Sequence, residues 1–218
     1  MESFRFKPQE PLGFTPGQFL KLLFDKDNLN NQNLNKYLSF SSSPEKEYIE
    51  VTKRLSQSEF SQKLISLEPG QAVVFKAPLG NCTYKKEYKK IAFLIGGIGI
   101  TPVVSIIEYI AKKNLDTDVI LLYSNRTEEE IIFHPELDKW ANNSNINMIY
   151  TVTDIKPVNT AFNFGKIDKN MVTDKIKDFS ERIFFIFGPP GMCKAMNNIC
   201  MDLNVTREQI KTEKFIGY

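Results

Sequence analysis

The sequence has few of the residues that build metal clusters and disulfide frameworks. It contains three cysteines and one histidine among 218 residues. Three thiols cannot supply the four ligands of an ordinary iron–sulfur cluster, and an odd, small number of cysteines does not form a disulfide framework. We therefore expect free, mostly buried thiols in a reducing cytosol, no metal site and a cytoplasmic protein.

The chain also lacks an excess of charge and a long hydrophobic segment. The 28 basic and 26 acidic residues give a formal net charge of +2, so there is no charge surplus to drive binding to nucleic acid or to an anionic membrane. The uncharged stretch 91–107 approaches the length of a membrane span. Its central glycines and proline predict a strand, a turn and a helix instead, so we expect no membrane insertion.

Two patterns of secondary structure divide the chain. Up to about residue 88, short strand-like runs separated by turn residues predict a small antiparallel barrel or sandwich. The predicted strands are 4–6, 17–24, 48–53 and 71–77, with an asparagine-rich loop at 25–36 and a helix at 58–67. From residue 89, apolar strands alternate with helices, which predicts a parallel sheet covered on both faces. The predicted strands there are 91–95, 119–123, 147–152, 183–187 and 210–215, and the predicted helices are 103–113, 135–142, 168–178 and 192–203.

A glycine-rich turn follows the first apolar strand of this second part. The sequence Gly96-Gly97-Ile98-Gly99-Ile100-Thr101-Pro102 suggests Thr101 as the helix N-cap and Pro102 as the first helical residue. Glycines let the backbone approach a bulky ligand, and a helix N-terminus favours a pyrophosphate. The turn does not match G-x-G-x-x-G, because Pro102 replaces the third glycine. Taken alone, it is also compatible with tight packing.

A second turn of similar character, Gly188-Pro189-Pro190-Gly191-Met192, follows the strand at 183–187. Ligands bind at the carboxyl ends of the strands in an open parallel sheet, where both turns are expected to lie. Two turns with few side chains at one edge predict a cleft for a flat or phosphorylated ligand.

These motifs, in this order, resemble the ferredoxin–NADP reductase-like flavoprotein superfamily, in a stand-alone form without an iron–sulfur domain. GGIGITP, LLYSNRT and GPPGM resemble its NAD(P)-binding half. Pro-Gly-Gln at 16–18, KYLSFSS at 36–42 and the turns at 69–70 and 77–80 occupy positions of its flavin-binding motifs, and 211–218 resembles its last strand. The resemblance covers essentially the whole chain. It implies an FAD-binding antiparallel β-barrel domain, residues 1–88, and an NAD(P)-binding α/β parallel-sheet domain, residues 89–218.

The resemblance also implies the site residues. Those implied in catalysis are Ser39, Thr101 and Glu213. Those implied to hold FAD are Lys36 at a phosphate, Tyr37, Leu38, Ser39, Val51, Thr52 and Lys53 along the flavin, Ser61 at the pyrophosphate, and Phe215 and Tyr218 from the chain end. Those implied to hold NADH or NADPH are Gly96, Gly97, Gly99, Thr101, Pro102, Ser124, Arg126, Gly188, Pro189, Pro190 and Met192.

Four positions depart from the pattern of the superfamily, one of them Ser58, which replaces the glycine of its G-x-x-S motif. Leu38 replaces its flavin-stacking tyrosine, although Tyr37 is adjacent. Lys36 replaces its arginine, which keeps the charge but loses bidentate phosphate recognition. Phe187 replaces the cysteine that often precedes its G-P-P turn.

The implied activity is that of an FAD-dependent NAD(P)H oxidoreductase. Hydride would pass from nicotinamide to flavin, and electrons would leave to an external acceptor: a ferredoxin-like protein, a haem protein, an oxygenase component or free flavin. Two alternatives stay open, a nucleotide-binding or electron-transfer subunit active only within a complex and a redox-sensing module without turnover. The choice between NADH and NADPH is open too, because Arg126 suits a 2′-phosphate contact and a solvated loop equally.

Overall fold

Antiparallel strands form the N-terminal part of the computed structural model, which describes residues 1–142 and 145–215. Strand β1 (Glu2–Phe6) pairs with β4 (Ile49–Lys53), and β2 (Phe19–Leu23) lies between β3 (Asn35–Ser39) and β5 (Val74–Leu79). A bridge between Phe40 and Val51 joins the two sheets. Helix α1 (Glu59–Ile65) adds Phe60 and Leu64 to their shared apolar core. The predicted antiparallel architecture is confirmed.

A six-stranded parallel sheet forms the rest of the described chain. Its strands are β6 (Lys90–Gly96), β7 (Asp118–Asn125), β8 (Ile146–Val152), β9 (Asn163–Phe164), β10 (Ile183–Gly188) and β11 (Ile210–Lys214), in the order β11-β10-β6-β7-β8-β9. The chain moves from β6 towards one edge and then returns to the other side of β6 as β10. The boundary between β6 and β10 is therefore the topological switch point, where open α/β sheets bind ligands.

Helices cover both faces of this sheet, as the alternating pattern predicts. Helices α2 (Ile100–Lys112) and α3 (His134–Ala141) pack on the face that contains Phe93 and Ile95. Helices α4 (Lys169–Lys175) and α5 (Pro190–Asp202) pack on the face that contains Ala92 and Leu94. The strand residues alternate between the two cores because successive side chains of a strand point in opposite directions. No helix within the described ranges is long and apolar enough to cross a membrane.

Four local predictions need correction. Strand β3 begins at Asn35, inside the predicted loop, because the buried Asn35 side chain bonds the backbone of Asp25 and Asn28 and ends that loop. Helix α4 ends at Lys175, three residues earlier than predicted. Helix α2 begins at Ile100, preceded by a 3₁₀ turn, so its N-cap is Gly99, and the predictions of Thr101 as the cap and Pro102 as the first helical residue are wrong. The Thr101 hydroxyl donates to Ile98 O at 3.1 Å instead.

Candidate active site

The two glycine-rich turns touch each other at the carboxyl edge of the sheet. A Cβ on Gly99 would collide with the carbonyl oxygen of Phe187, and a Cβ on Gly96 would collide with Sδ of Met192. Packing between the turns thus requires glycine at position 99, where the obstacle is backbone, whereas at position 96 the flexible end of the Met192 side chain would have to move. Gly97 differs, because a Cβ there would meet no atom within 4 Å and its φ is +52°. Its open side leaves room for a ligand.

A cleft of about 580 Å³ lies between the barrel strands and the sheet. Its volume is within the range typical of cofactor sites. Nine residues named from the sequence line it: Lys36, Tyr37, Leu38, Ser39, Thr52, Lys53, Thr101, Glu213 and Phe215. Lys36 and Phe215, which are 179 positions apart along the chain, therefore share one cavity.

Tyr37 forms an exposed aromatic surface in this cleft. Its side chain is 62% exposed, whereas that of Leu38 is 8% exposed and packs in the barrel core. The two differ because neighbouring strand residues face opposite sides. Phe19 contacts the edge of the Tyr37 ring at 5.7 Å between centroids, and Lys21 Nζ lies 4.9 Å from the ring centroid. The ring is therefore held in place.

Lys36 and Lys53, two of the four lysines that line the cleft, give it a local positive charge. Burial, and to a lesser degree the charge of Lys36, lower the pKa of Lys53. Neither lysine forms a salt bridge to any residue that the structure describes. Two cationic groups facing one cavity without an acidic partner form a site suited to an anion such as phosphate.

Glu213 is the acidic group of the cleft. It lies on β11 against the turn at Gly80, where an added Cβ would be 3.5 Å from its Oε2. Burial raises the pKa of its carboxyl to about 7. The side chain can therefore hold or release a proton near neutral pH.

This shift gives a prediction for the pH dependence of stability. Between about pH 4.5 and 7, the folded state binds a proton at Glu213 and the unfolded state does not. The contribution of Glu213 to the free energy of unfolding therefore falls as the pH rises through that window. At pH 8, Glu213→Gln is expected to increase the free energy of unfolding by about 1–2 kcal/mol, with a smaller gain at pH 5. Urea denaturation at both values measures this. The exposed control Glu87→Gln should give no such difference, and an equal gain at both pH values would contradict the assignment.

Two of the described residues implied to hold FAD, Val51 and Ser61, lie outside the cleft lining. Val51 is fully buried in the barrel core. The Ser61 amide donates to Ser58 Oγ at 3.3 Å, and its hydroxyl bonds Ser56 and Ser58. Ser58 is the N-cap of helix α1, so the Ser61 amide takes part in the cap, and the Ser61 hydroxyl is bonded to its serine neighbours.

Ser124 lies at the end of β7 and Arg126 directly follows the strand; Asn125 between them was not among the predicted site residues. Arg126 is exposed and pairs with Asp154 at 2.9 Å. Asn125 is only 5% exposed, and neither amide atom makes a hydrogen bond, although the group lies beside the Tyr123 hydroxyl. That hydroxyl donates to Gly97 O at 3.1 Å. A buried amide without hydrogen bonds is costly unless a ligand or water supplies them. In the sequence, only the position of Asn125 at the end of a predicted strand could have pointed to it.

The second turn contributes mainly backbone. Gly188 has a φ of +155°, and Pro189 and Pro190 lead into α5. Pro190 borders a shallow groove beside Lys194, which adjoins the main cleft because Glu213 and Lys214 line both. Pro102 is buried in the first turns of α2. Tyr218 lies outside the described residues.

Comparison with known proteins gives two family matches that together cover most of the chain. Residues 1–84 match the oxidoreductase FAD-binding domain, and residues 93–198 match the oxidoreductase NAD-binding domain.

Named relatives agree with these matches. NADH-cytochrome b5 reductase 2 of Debaryomyces hansenii is 32% identical over 67% of this chain and 50% of its own length. An NADH-cytochrome b5 reductase-like protein of Arabidopsis thaliana is 30% identical over 89% of this chain and 62% of its own length. The chain thus spans about half to two thirds of these relatives. The cytochrome b5 reductase domain of Ulva prolifera nitrate reductase has the same fold, with a TM-score of 0.83 at 23% identity over 98% of this chain and 90% of that one.

Proposed function

The chain belongs to the ferredoxin–NADP reductase-like flavoprotein superfamily, and on that premise we propose that it is an FAD-dependent NAD(P)H oxidoreductase that passes electrons to an external acceptor. The observation that carries this proposal is the single cleft in which the barrel strands, the glycine-rich turn and the C-terminal strand meet.

The residues present fit both cofactors. Lys36 and Lys53 supply positive charge with no acidic partner among the described residues, which suits the phosphates of FAD. Tyr37 offers a flat, exposed ring. On the sheet side, Gly97 is open and the Asn125 amide is unpaired, which suits a nucleotide at the α2 N-terminus.

The chemistry supplied by bound FAD is acceptance of a hydride from nicotinamide and release of its electrons. The part of the protein is to bind and orient the two cofactors. Lys36 and Lys53 would neutralise the phosphates of FAD, and the Tyr37 ring would limit the tilt of the flavin ring. The packed turns hold the start of α2 in place. Holding two reactants in position contributes up to about 7–11 kcal/mol to catalysis.

We assign Ser39, Thr101 and Glu213 to the reacting end of the cleft. The support for this is that all three line it, from β3, α2 and β11 respectively. Glu213 can hold a proton at its carboxyl at neutral pH. The other named residues keep their proposed roles, except Val51, which is fully buried in the barrel core, and Lys53, which we propose at a phosphate. Ser56 and Ser58 are added near Ser61 because their hydroxyls bond its hydroxyl.

We also propose the division at residues 88 and 89. It is supported by the position of Lys90 at the start of β6 and by the gap between the two family matches, from 84 to 93. A reducing compartment, the cytosol, is our proposal because Cys82, Cys193 and Cys200 are free and buried.

NADH is the nucleotide that the site favours. Asp154 Oδ2 accepts a bond from Nε of Arg126 at 2.9 Å, and a carboxylate there repels a 2′-phosphate but accepts a bond from a 2′-hydroxyl. The names of the relatives in Debaryomyces and Arabidopsis support the same choice. They also make a haem protein of the cytochrome b5 kind the first acceptor to try.

A visible absorption spectrum tests the proposal. The purified chain, supplied with FAD, is expected to show a bound-flavin spectrum that bleaches with NADH under anaerobic conditions, and at least tenfold more slowly with equal NADPH. A colourless preparation that fails to bleach added FAD with either nucleotide would refute the proposal. Nucleotide binding without bleaching, with turnover restored by a partner, would favour the alternative of a subunit that works within a complex.

A further inference from the structure

Helix α2 carries a buried stripe of polar residues, Thr101, Ser105 and Glu108. They are 2%, 0% and 6% exposed. Their spacing of four and then three residues puts them on one face of the helix. Thr101 lines the cleft, so the stripe begins at the cleft and extends about two helical turns away from it.

Hydrogen bonds and an ion pair join this stripe to the barrel segment 42–46, which follows β3. The Ser105 hydroxyl donates to Ser42 O at 2.8 Å. The Ser43 amide donates to Glu108 Oε2 at 2.8 Å, and Lys46 Nζ lies 2.8 Å from Glu108 Oε1. Ser42 and Ser43 follow shortly after Ser39, which lines the opposite wall. Each wall of the cleft is therefore connected to the other by short, buried hydrogen bonds.

These bonds differ from ordinary packing between two elements. A buried carboxylate is costly to desolvate and is tolerated only when its oxygens are paired, as both are here. Apolar surfaces can slide over one another, whereas buried hydrogen bonds of defined geometry allow one arrangement. The polar stripe thus sets the register of α2 on the barrel.

We propose that Glu108 and Ser105 are positioning residues that fix the separation and angle of the two cleft walls, and through them the approach of nicotinamide to flavin. The inference rests on the proposed function. Neither residue lines the cleft, so neither touches the cofactors. Their effect is transmitted through Thr101 on one side and through Ser39 on the other.

A nearby ion pair supplies a matched control. Lys113, the C-cap residue of α2, and Glu45 join the same helix end to the same segment at 2.6 Å, but their side chains are 43% and 38% exposed. Exposed pairs contribute little to holding a geometry. Lys113→Met should therefore leave every measurement below unchanged.

The first experiment is hydrogen–deuterium exchange without cofactors. Glu108→Ala is expected to accelerate exchange at the Ser43 amide at least tenfold, because its acceptor is lost. Glu108→Gln keeps an acceptor oxygen and should restore most of the protection, as a conservative rescue. Unchanged exchange at Ser43 in Glu108→Ala would overturn the inference.

The second experiment separates binding from positioning. In stopped-flow reduction with NADH, Glu108→Ala is expected to slow flavin reduction about 10- to 100-fold, while the Kd of NADH changes less than threefold. Ser105→Ala, a small change that keeps the fold, should slow it several-fold. Equal losses in reduction rate and NADH affinity, or no loss in reduction rate, would overturn the positioning role but leave the proposed function intact. A wild-type chain that fails to reduce flavin would overturn the proposed function as well.

Discussion

Gly99→Ala is expected to force the two glycine-rich turns apart and to lower the free energy of unfolding by about 3 kcal/mol. The added Cβ collides with the carbonyl oxygen of Phe187, and it would lie 3.1 Å from Gly188 N. These are backbone atoms of the adjacent strand, which cannot rotate away as a side chain could. Because the start of α2 would move, NADH affinity is expected to fall more than tenfold. Urea denaturation and a fluorescence titration with NADH measure the two effects.

Gly97→Ala is the matched control, two residues away. Its Cβ would meet no protein atom within 4 Å, but the φ of +52° is unfavourable for alanine, at a cost of about 1–2 kcal/mol. We expect this smaller loss of stability together with a clear loss of NADH affinity, because the methyl group occupies the open side of the turn. If both variants lost the same stability, contact between the turns would not be the cause.

The second large effect concerns the lysines of the cleft. Lys36→Met and Lys53→Met are each expected to weaken FAD binding about 10- to 100-fold, since a hydrogen bond to a charged group contributes roughly 1.5–3 kcal/mol. The stability of the FAD-free chain should stay the same or rise, because the positive charge of Lys36 disfavours the charged form of Lys53. Titration of flavin fluorescence gives the Kd, and thermal unfolding gives the stability.

Lys63→Met serves as the control for this pair. Lys63 is exposed on the last turn of α1 and does not line the cleft. FAD affinity in this variant should match that of the unaltered chain. Unchanged FAD affinity in both Lys36→Met and Lys53→Met would show that the phosphates bind elsewhere.

Local patterns were enough to predict most strands and helices. The strands β6, β7 and β10 are continuous apolar runs, as expected of strands buried on both faces. The order of motifs along the chain led to the family that the matches confirm. The prediction was wrong where non-local contacts decide the conformation. Strand β3 depends on pairing with β2 and on the buried Asn35 rather than on an apolar alternation of its own, and the start of α2 depends on the left-handed turn at Gly97.

From its residue order alone, the chain thus specifies two architectures, their order and two side-chain-poor turns, because backbone preferences and apolar periodicity act over a few neighbouring residues. Only the tertiary structure decided that Tyr37 presents the exposed ring in the cleft while Leu38 is mostly buried in the barrel core, that burial raises the pKa of Glu213, and that Glu108 bonds the barrel. These properties arise from contacts between residues tens of positions apart, and burial and charge at such contacts depend on which surfaces meet after folding.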